Sequence, residues 1–123
     1  MEIKYPSLED VINANKKAIE LLRATKAEKY ELRASKHNIQ KVLDDVKNLE
    51  GDVKEKAAML LMKINRKHFF GSANKRTSFI VASDFLLANE GKIPLKRKED
   101  VEFLMEVRAG KRTVEDIKRW LNE

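Results

Sequence analysis

Residues 75–89 read KRTSFIVASDFLLAN, and the middle of that run is apolar on nearly every side of a helical wheel. A helix without a polar face must be covered by neighbours all round, so this one has to lie at the centre of the fold. Gly91 follows as its natural stop, since glycine takes the left-handed conformation that ends a helix without steric cost. The architecture then depends on what the rest of the chain offers as cover.

It offers helices. Pro6-Ser7 reads as a helix start, with Ser7 as cap and Asp10 at the reciprocal position three residues on. Leu8, Val11, Ile12, Ile19 and Leu22 keep helical spacing and predict a first helix running to about Arg23. Residues 24–32 (ATKAEKYEL) are charged and aperiodic, and read as a connection or flap. Ser35 is the next cap, ahead of Ile39, Val42, Leu43 and Val46, and residues 48–51 break that short helix. Asp52 with Glu55 forms another capping-box pattern. Val53, Ala57, Leu60, Leu61 and Ile64 then trace one apolar face leading to His68, which places His68 on the core-facing side near the helix end.

Beyond the central helix, Ile93-Pro94-Leu95 is a brief extended link. Residues 99–109 predict a fifth helix with Val101, Leu104, Met105 and Val107 inward, stopped by Gly110. Thr113 caps a last helix, with Asp116 at the box position and Ile117, Trp120 and Leu121 buried. No stretch sustains period-two alternation, so nothing beyond a small hairpin is expected of β-structure. Without repeats or linkers, residues 1–123 predict a single all-α domain, a compact bundle of about six helices around a central buried helix.

Composition excludes several functions. With no cysteine there is neither a disulfide framework nor a thiolate zinc site, and the two histidines, His37 and His68, are too few for a histidine-built metal site. The first residues carry no apolar signal core and no apolar run approaches the ~20 residues of a membrane span, so a cytoplasmic location is the default expectation. The net charge of +6 comes from 26 Lys and Arg interleaved with 20 acids, and Lys96-Arg97-Lys98 is the one tight triplet. That pattern reads as solvated helix faces. With no helix-turn-helix pattern and no aromatic-basic interleaving, nucleic acid is not an expected partner.

The chemistry concentrates in His68-Phe69-Phe70-Gly71-Ser72-Ala73-Asn74-Lys75-Arg76. Phosphoryl or nucleotidyl transfer needs a base near the acceptor hydroxyl and dense positive potential around the phosphates. An imidazole, with an unperturbed pKa of about 6.5, suits base work near neutral pH. Phe70 can bury as an anchor for the loop. Gly71, Ser72 and Ala73 are small, so their backbone N–H groups can approach an anion closely. Asn74, Lys75 and Arg76 fall in the first turn of the central helix, where cations oppose the helix dipole unless an anion binds between them. Taken singly, a histidine closing an apolar face or a Lys-Arg pair is ordinary; the order and spacing together are specific.

This stretch resembles the Fic/Doc (Fido) signature, H-x-F-x-[D/E]-[A/G]-N-[G/K]-R, at every constrained position but one, with Leu32-Arg33 a further weak match. The resemblance implies a helical fold with the loop between two helices, the second central, and a transferase acting on ATP with Mg2+. It assigns His68 as general base, Asn74 and the loop backbone (Gly71, Ser72, Ala73) as anion hole, and Lys75 as a phosphate contact. Arg76 would stabilise charge on the transferring group. Ala73 and Lys75 stand where Fic enzymes usually have glycines, Phe79 where many have a second arginine, and the inhibitory pattern [S/T]-x-x-x-E-[G/N] is absent. These details resemble the Doc (death-on-curing) branch: toxins restrained by an antitoxin protein, which pass the γ-phosphate of ATP to a threonine hydroxyl of a translation elongation factor. Residues 24–32 lie where the family has a target-docking flap.

The departure is Ser72, where the family's acid holds magnesium. A neutral hydroxyl is a far poorer ligand for a hard divalent cation than a carboxylate. Three readings stay open. The nucleotide itself holds the metal, with Ser72 or a water completing its shell. Another carboxylate substitutes, Asp84 on the central helix being the candidate. Or turnover is lost, whether in a catalytically dead protein that only binds nucleotide or antitoxin or through an engineered serine that silences a toxin. AMP transfer of the Fic type is the alternative reaction.

Overall fold

The computed structural model describes residues 2–22, 29–94 and 100–123. Six α-helices follow in order: α1 (Leu8–Leu22), α2 (Lys36–Asn48), α3 (Val53–Lys67), α4 (Asn74–Glu90), α5 (Val101–Arg108) and α6 (Val114–Leu121). The expected end of the first helix at Arg23, the flap residues 24–28, Leu95, the Lys96-Arg97-Lys98 triplet and the start at Glu99 lie outside the described residues.

The helix starts sit where short polar side chains can serve the first orphan N–H groups. Ser7 and Asp10 bond reciprocally: the Asp10 N–H donates to Ser7 Oγ (3.1 Å) and the Ser7 N–H to Asp10 Oδ2 (2.8 Å). Ser35 caps α2 by accepting from the Asn38 N–H, and Thr113 with Asp116 closes a full capping box on α6. At α3 the box is half formed. Asp52 Oδ1 accepts from the Glu55 N–H at 2.9 Å, but the Glu55 carboxylate turns to Lys118 Nζ at 3.6 Å and ties α3 to α6.

α4 packs against α3, α1 and α5, and buries Val81, Ala82, Phe85 and Leu86 together with Thr77, Ser78 and Ser83. It shares the centre with α3, which packs against α4, α6, α2 and α5. Ala57, Ala58, Leu60 and Leu61 of α3 are fully enclosed. Among the described residues there is no strand; a single antiparallel bridge joins Leu32 to Phe70, in place of the hairpin allowed for. No described helix is long and apolar enough to cross a membrane.

Two inward assignments on α5 fail. Leu104 and Val107 are buried, but Val101 and Met105 are 42% and 55% exposed. The reason is that α3 holds α5 largely by its carbonyls. Asn65 Nδ2 donates to the Leu104 carbonyl (3.1 Å) and Arg66 Nε to that of Val107 (2.8 Å). A helix gripped through its backbone needs only a narrow apolar stripe.

Lys56 performs a similar service for α2. Its side chain is buried, and Nζ donates to the carbonyls of Val46 and Lys47 (both 3.1 Å) and to Tyr5 Oη (2.9 Å). A cation on the negative end of α2 is favourable, and it satisfies carbonyls that would otherwise be orphaned. Lys56→Ala is expected to lower stability by about 2–3 kcal/mol, because it strands buried acceptors. The exposed Lys41→Ala should stay within about 0.5 kcal/mol in the same urea titrations.

Candidate active site

The turn from α3 into α4 carries the two positive-φ non-glycine residues of the described chain, His68 (φ 53°) and Ala73 (φ 61°). His68 is the C-cap of α3, one residue beyond the helix, and Ala73 the N-cap of α4. Each left-handed residue costs on the order of 1–2 kcal/mol, so the turn must be held from outside.

Asn74 holds it. The Phe70 N–H donates to Asn74 Oδ1 (3.1 Å), and Asn74 Nδ2 donates back to the Phe70 carbonyl (2.9 Å). Phe70 anchors the loop beneath, 1% exposed, with Phe69 edge-on at 6.4 Å and Tyr30 at 6.1 Å between ring centroids. The Asn74 carboxamide, expected in an anion hole, is thus a buried clamp whose two polar atoms serve the loop backbone.

Asn15, which the sequence reading missed, ties the turn to α1. Fully buried, its Nδ2 donates to the Ser72 carbonyl and to Thr77 Oγ1, both at 3.0 Å. The Thr77 hydroxyl in turn donates to the Ala73 carbonyl at 2.7 Å. Because that proton is spent on Ala73, Thr77 Oγ1 must accept from Asn15, which fixes the amide's orientation. The available signal was a polar amide among Val11, Ile12, Ala18 and Ile19 on an apolar helix face.

A strap of residues 31–34 grips the other side. The Gly71 N–H donates to the Glu31 carbonyl (2.8 Å), and the Phe69 carbonyl accepts from the N–H groups of Arg33 (2.8 Å) and Ala34 (3.1 Å). A Cβ at Gly71 would meet Glu31 Cβ at 3.1 Å, so glycine is there for close approach. The Gly71 N–H is therefore spent on the strap, which corrects the expectation that it faces an anion.

What remains for an anion is the start of α4. Ala73 has no side-chain oxygen, and α4 begins without a side-chain cap. Its first backbone bond, Thr77 N–H to the Ala73 carbonyl (2.9 Å), comes after the N–H groups of Asn74, Lys75 and Arg76. This positive end carries the half-buried Lys75 and Arg76 side chains. Across the turn, His68 is half-buried and its Nε2 has neither solvent nor a hydrogen-bond partner. Burial, then the cations of Arg108, Lys75 and Arg33, hold its pKa below 6.5. Both effects favour the neutral imidazole, the form able to accept a proton. Arg108 gave no signal in the sequence, since nothing local relates the end of α5 to the loop.

The residues present do not fit magnesium. Ser72 is a neutral ligand whose Oγ is closed off from solvent and unpartnered. Asp84 does not replace it. It lies on the exposed side of α4 in a groove of about 330 Å³ shared with Tyr5, Asp10, Asn13 and Lys17, roughly 15 Å along the helix from Asn74. Glu31 Oε1 is engaged by Arg33 Nε at 2.7 Å. No group of three or more His, Cys, Asp or Glu side chains converges among the described residues.

An all-helical bundle that sets a neutral histidine against a cation-bearing helix N-terminus has the makings of a phosphoryl- or nucleotidyl-transferase site. The Fic/DOC family model matches residues 5–86, more than half of the chain, and the protein belongs to the Fic/DOC family, whose members are typically transferases. The match ends within α4, so α5 and α6 lie beyond it. Curated proteins yielded no match.

Asn15→Ala is expected to cost about 1–3 kcal/mol and to speed hydrogen exchange at the Thr77 and Gly71 amides more than at Leu43 in α2. For His68, the folded pKa lies below the unfolded one, so in that window the unfolded chain binds more protons. Its contribution to stability is present above about pH 6.5 and is lost as pH falls through the folded pKa. An NMR titration should place the His68 midpoint below 6.5, and Lys75→Met should raise it.

Proposed function

We propose that the protein transfers phosphate from ATP to a hydroxyl of a target protein, as the toxin of a toxin–antitoxin pair. The observation that carries this is the placement of neutral His68 across a clamped turn from the positive end of α4. In the reaction, His68 takes the proton of the acceptor hydroxyl as its oxygen attacks the γ-phosphorus. The bond from that phosphorus to the bridging oxygen breaks, and ADP leaves with the electron pair. Arg76 and Lys75 neutralise charge on the phosphate groups. Backbone N–H groups at the start of α4 take the anion-hole role. No step is routed through magnesium.

Phosphate rather than AMP transfer is supported by Lys75 and by Phe79. Where many Fic enzymes have a second arginine, the Phe79 ring packs against Trp120 of α6 at 5.7 Å between centroids. A side chain committed to that contact leaves no cation there to hold the nucleotide in the AMP-transferring orientation. An elongation factor is the proposed target and a separate antitoxin the proposed restraint. A second reading, nucleotide binding without turnover, is favoured by Ser72.

Incubation with a translation extract and ATP labelled at either the α or the γ position separates these. Transfer of γ-label, reduced at least about 100-fold in His68→Ala, is the expected result. Transfer of α-label instead would restore AMP transfer. No transfer by either the natural chain or Ser72→Asp, with ATP bound by both, would leave the binding reading.

A further inference from the structure

Asn15 is built into the turn by one side of its amide alone. Fully buried on α1, it donates through Nδ2 to the Ser72 carbonyl and to Thr77 Oγ1, both at 3.0 Å. Its Oδ1 is enclosed and has no hydrogen-bond partner. Burying an acceptor in that state costs free energy that an apolar residue kept for packing would not incur. Val11, Ile12, Ala18 and Ile19, around it on the same helix face, are all apolar and buried. The amide is therefore there for what its donors do.

Those donors act on two consecutive peptide planes. A peptide N–H and the carbonyl before it lie in one plane and point opposite ways. Drawing the Ser72 carbonyl towards buried Asn15 therefore turns the Ala73 N–H away from the core. The Ala73 carbonyl is drawn along α4 by the Thr77 N–H (2.9 Å) and by the Thr77 hydroxyl (2.7 Å). That hydroxyl accepts from Asn15 and so presents its proton to Ala73, which sends the Asn74 N–H out of the helix start. With Ala73 left-handed (φ 61°, ψ 24°) and Asn74 helical, the successive N–H groups line a concave nest. Among the described residues neither the Ala73 nor the Asn74 N–H donates to a backbone carbonyl.

We propose that Asn15 is a positioning residue for a bound phosphate: through the Ser72 and Ala73 carbonyls it aims the Ala73 and Asn74 N–H groups at the anion. The proposal rests on the phosphate-transfer reading above and adds to it a residue that touches no ligand. Asn15 then matters for affinity by orientation, over and above what it contributes to stability.

The test is ATP titration of the full isotope-labelled chain, read by amide NMR shifts and by calorimetry. ATP is expected to shift the Ala73 and Asn74 amides. Asn15→Ala and Thr77→Val should each weaken binding about fivefold or more, the worth of one hydrogen bond. Thr77→Ser keeps the hydroxyl and should stay within about twofold of the natural chain. Lys56→Ala, which loosens α2 away from the turn, should also stay within about twofold while losing stability. Unchanged affinity in folded Asn15→Ala, or in Thr77→Val should Asn15→Ala not fold, would overturn the proposal. An equal loss in Lys56→Ala or Thr77→Ser, the mark of general loosening, would do the same. ATP binding that leaves the Ala73 and Asn74 amides unmoved would overturn it too, with the phosphate reading left standing. A folded natural chain that binds no ATP, with or without Mg2+, would overturn both.

Discussion

The two hydrogen bonds between Asn74 and the backbone of Phe70 hold the chain in a shape its own dihedrals resist. His68 and Ala73 both sit in the left-handed region, where a β-carbon is unfavourable, so the turn between α3 and α4 would relax if left alone. Three supports prevent it: the Asn74 clamp from within, Asn15 from α1, and the strap of residues 31–34 across the open side. Each uses buried or close-packed backbone groups, where a hydrogen bond cannot be exchanged cheaply for water. The strain is thereby confined to one turn while the helices on either side stay regular. Such concentration of strain is what a preorganised site requires.

Electrostatics follow from that geometry. An α4 begun by serine or aspartate would have satisfied its own first N–H groups; one begun by alanine leaves its positive end for something else. Lys75 and Arg76 then make this end unfavourable for the helix and favourable for an anion. Burial first, then the charges of Arg108, Lys75 and Arg33, disfavour a positive charge on His68, so part of the potential that attracts phosphate also keeps the histidine unprotonated. Anion binding and base strength are thus coupled through one field. An anion seated at α4 would weaken that field and make the imidazole more basic once the ligand is in place.

Much of the scaffold was legible because helix-forming signals are local. Ser35, Asp52 and Thr113 cap the helices their positions predicted, and the apolar spacing of α1, α3 and α6 returned as buried faces. Errors came where a residue's environment is set by a distant part of the chain. Met105 and Val101 look inward by spacing, but only Leu104 and Val107 reach the core, and α3 adds hydrogen bonds from Asn65 and Arg66 to the α5 carbonyls. In the site, the motif placed His68 and the α4 cations together, since all lie within one loop. It could not show that Asn74 and the Gly71 N–H are spent on holding that loop, nor that Asn15, Arg33 and Arg108 join it from three other segments.

Ser72 has a different meaning once its surroundings are known. Read from sequence, it is a lost metal ligand, and Asp84 a possible substitute. In the structure its carbonyl is the acceptor for Asn15, while its Oγ is enclosed without a partner. The backbone carbonyl of position 72 thus holds the turn to α1 through Asn15, a role that does not depend on its side chain. What the serine changes is charge. A carboxylate there would set a negative charge beside the start of α4; the neutral hydroxyl leaves that end of the helix the more positive.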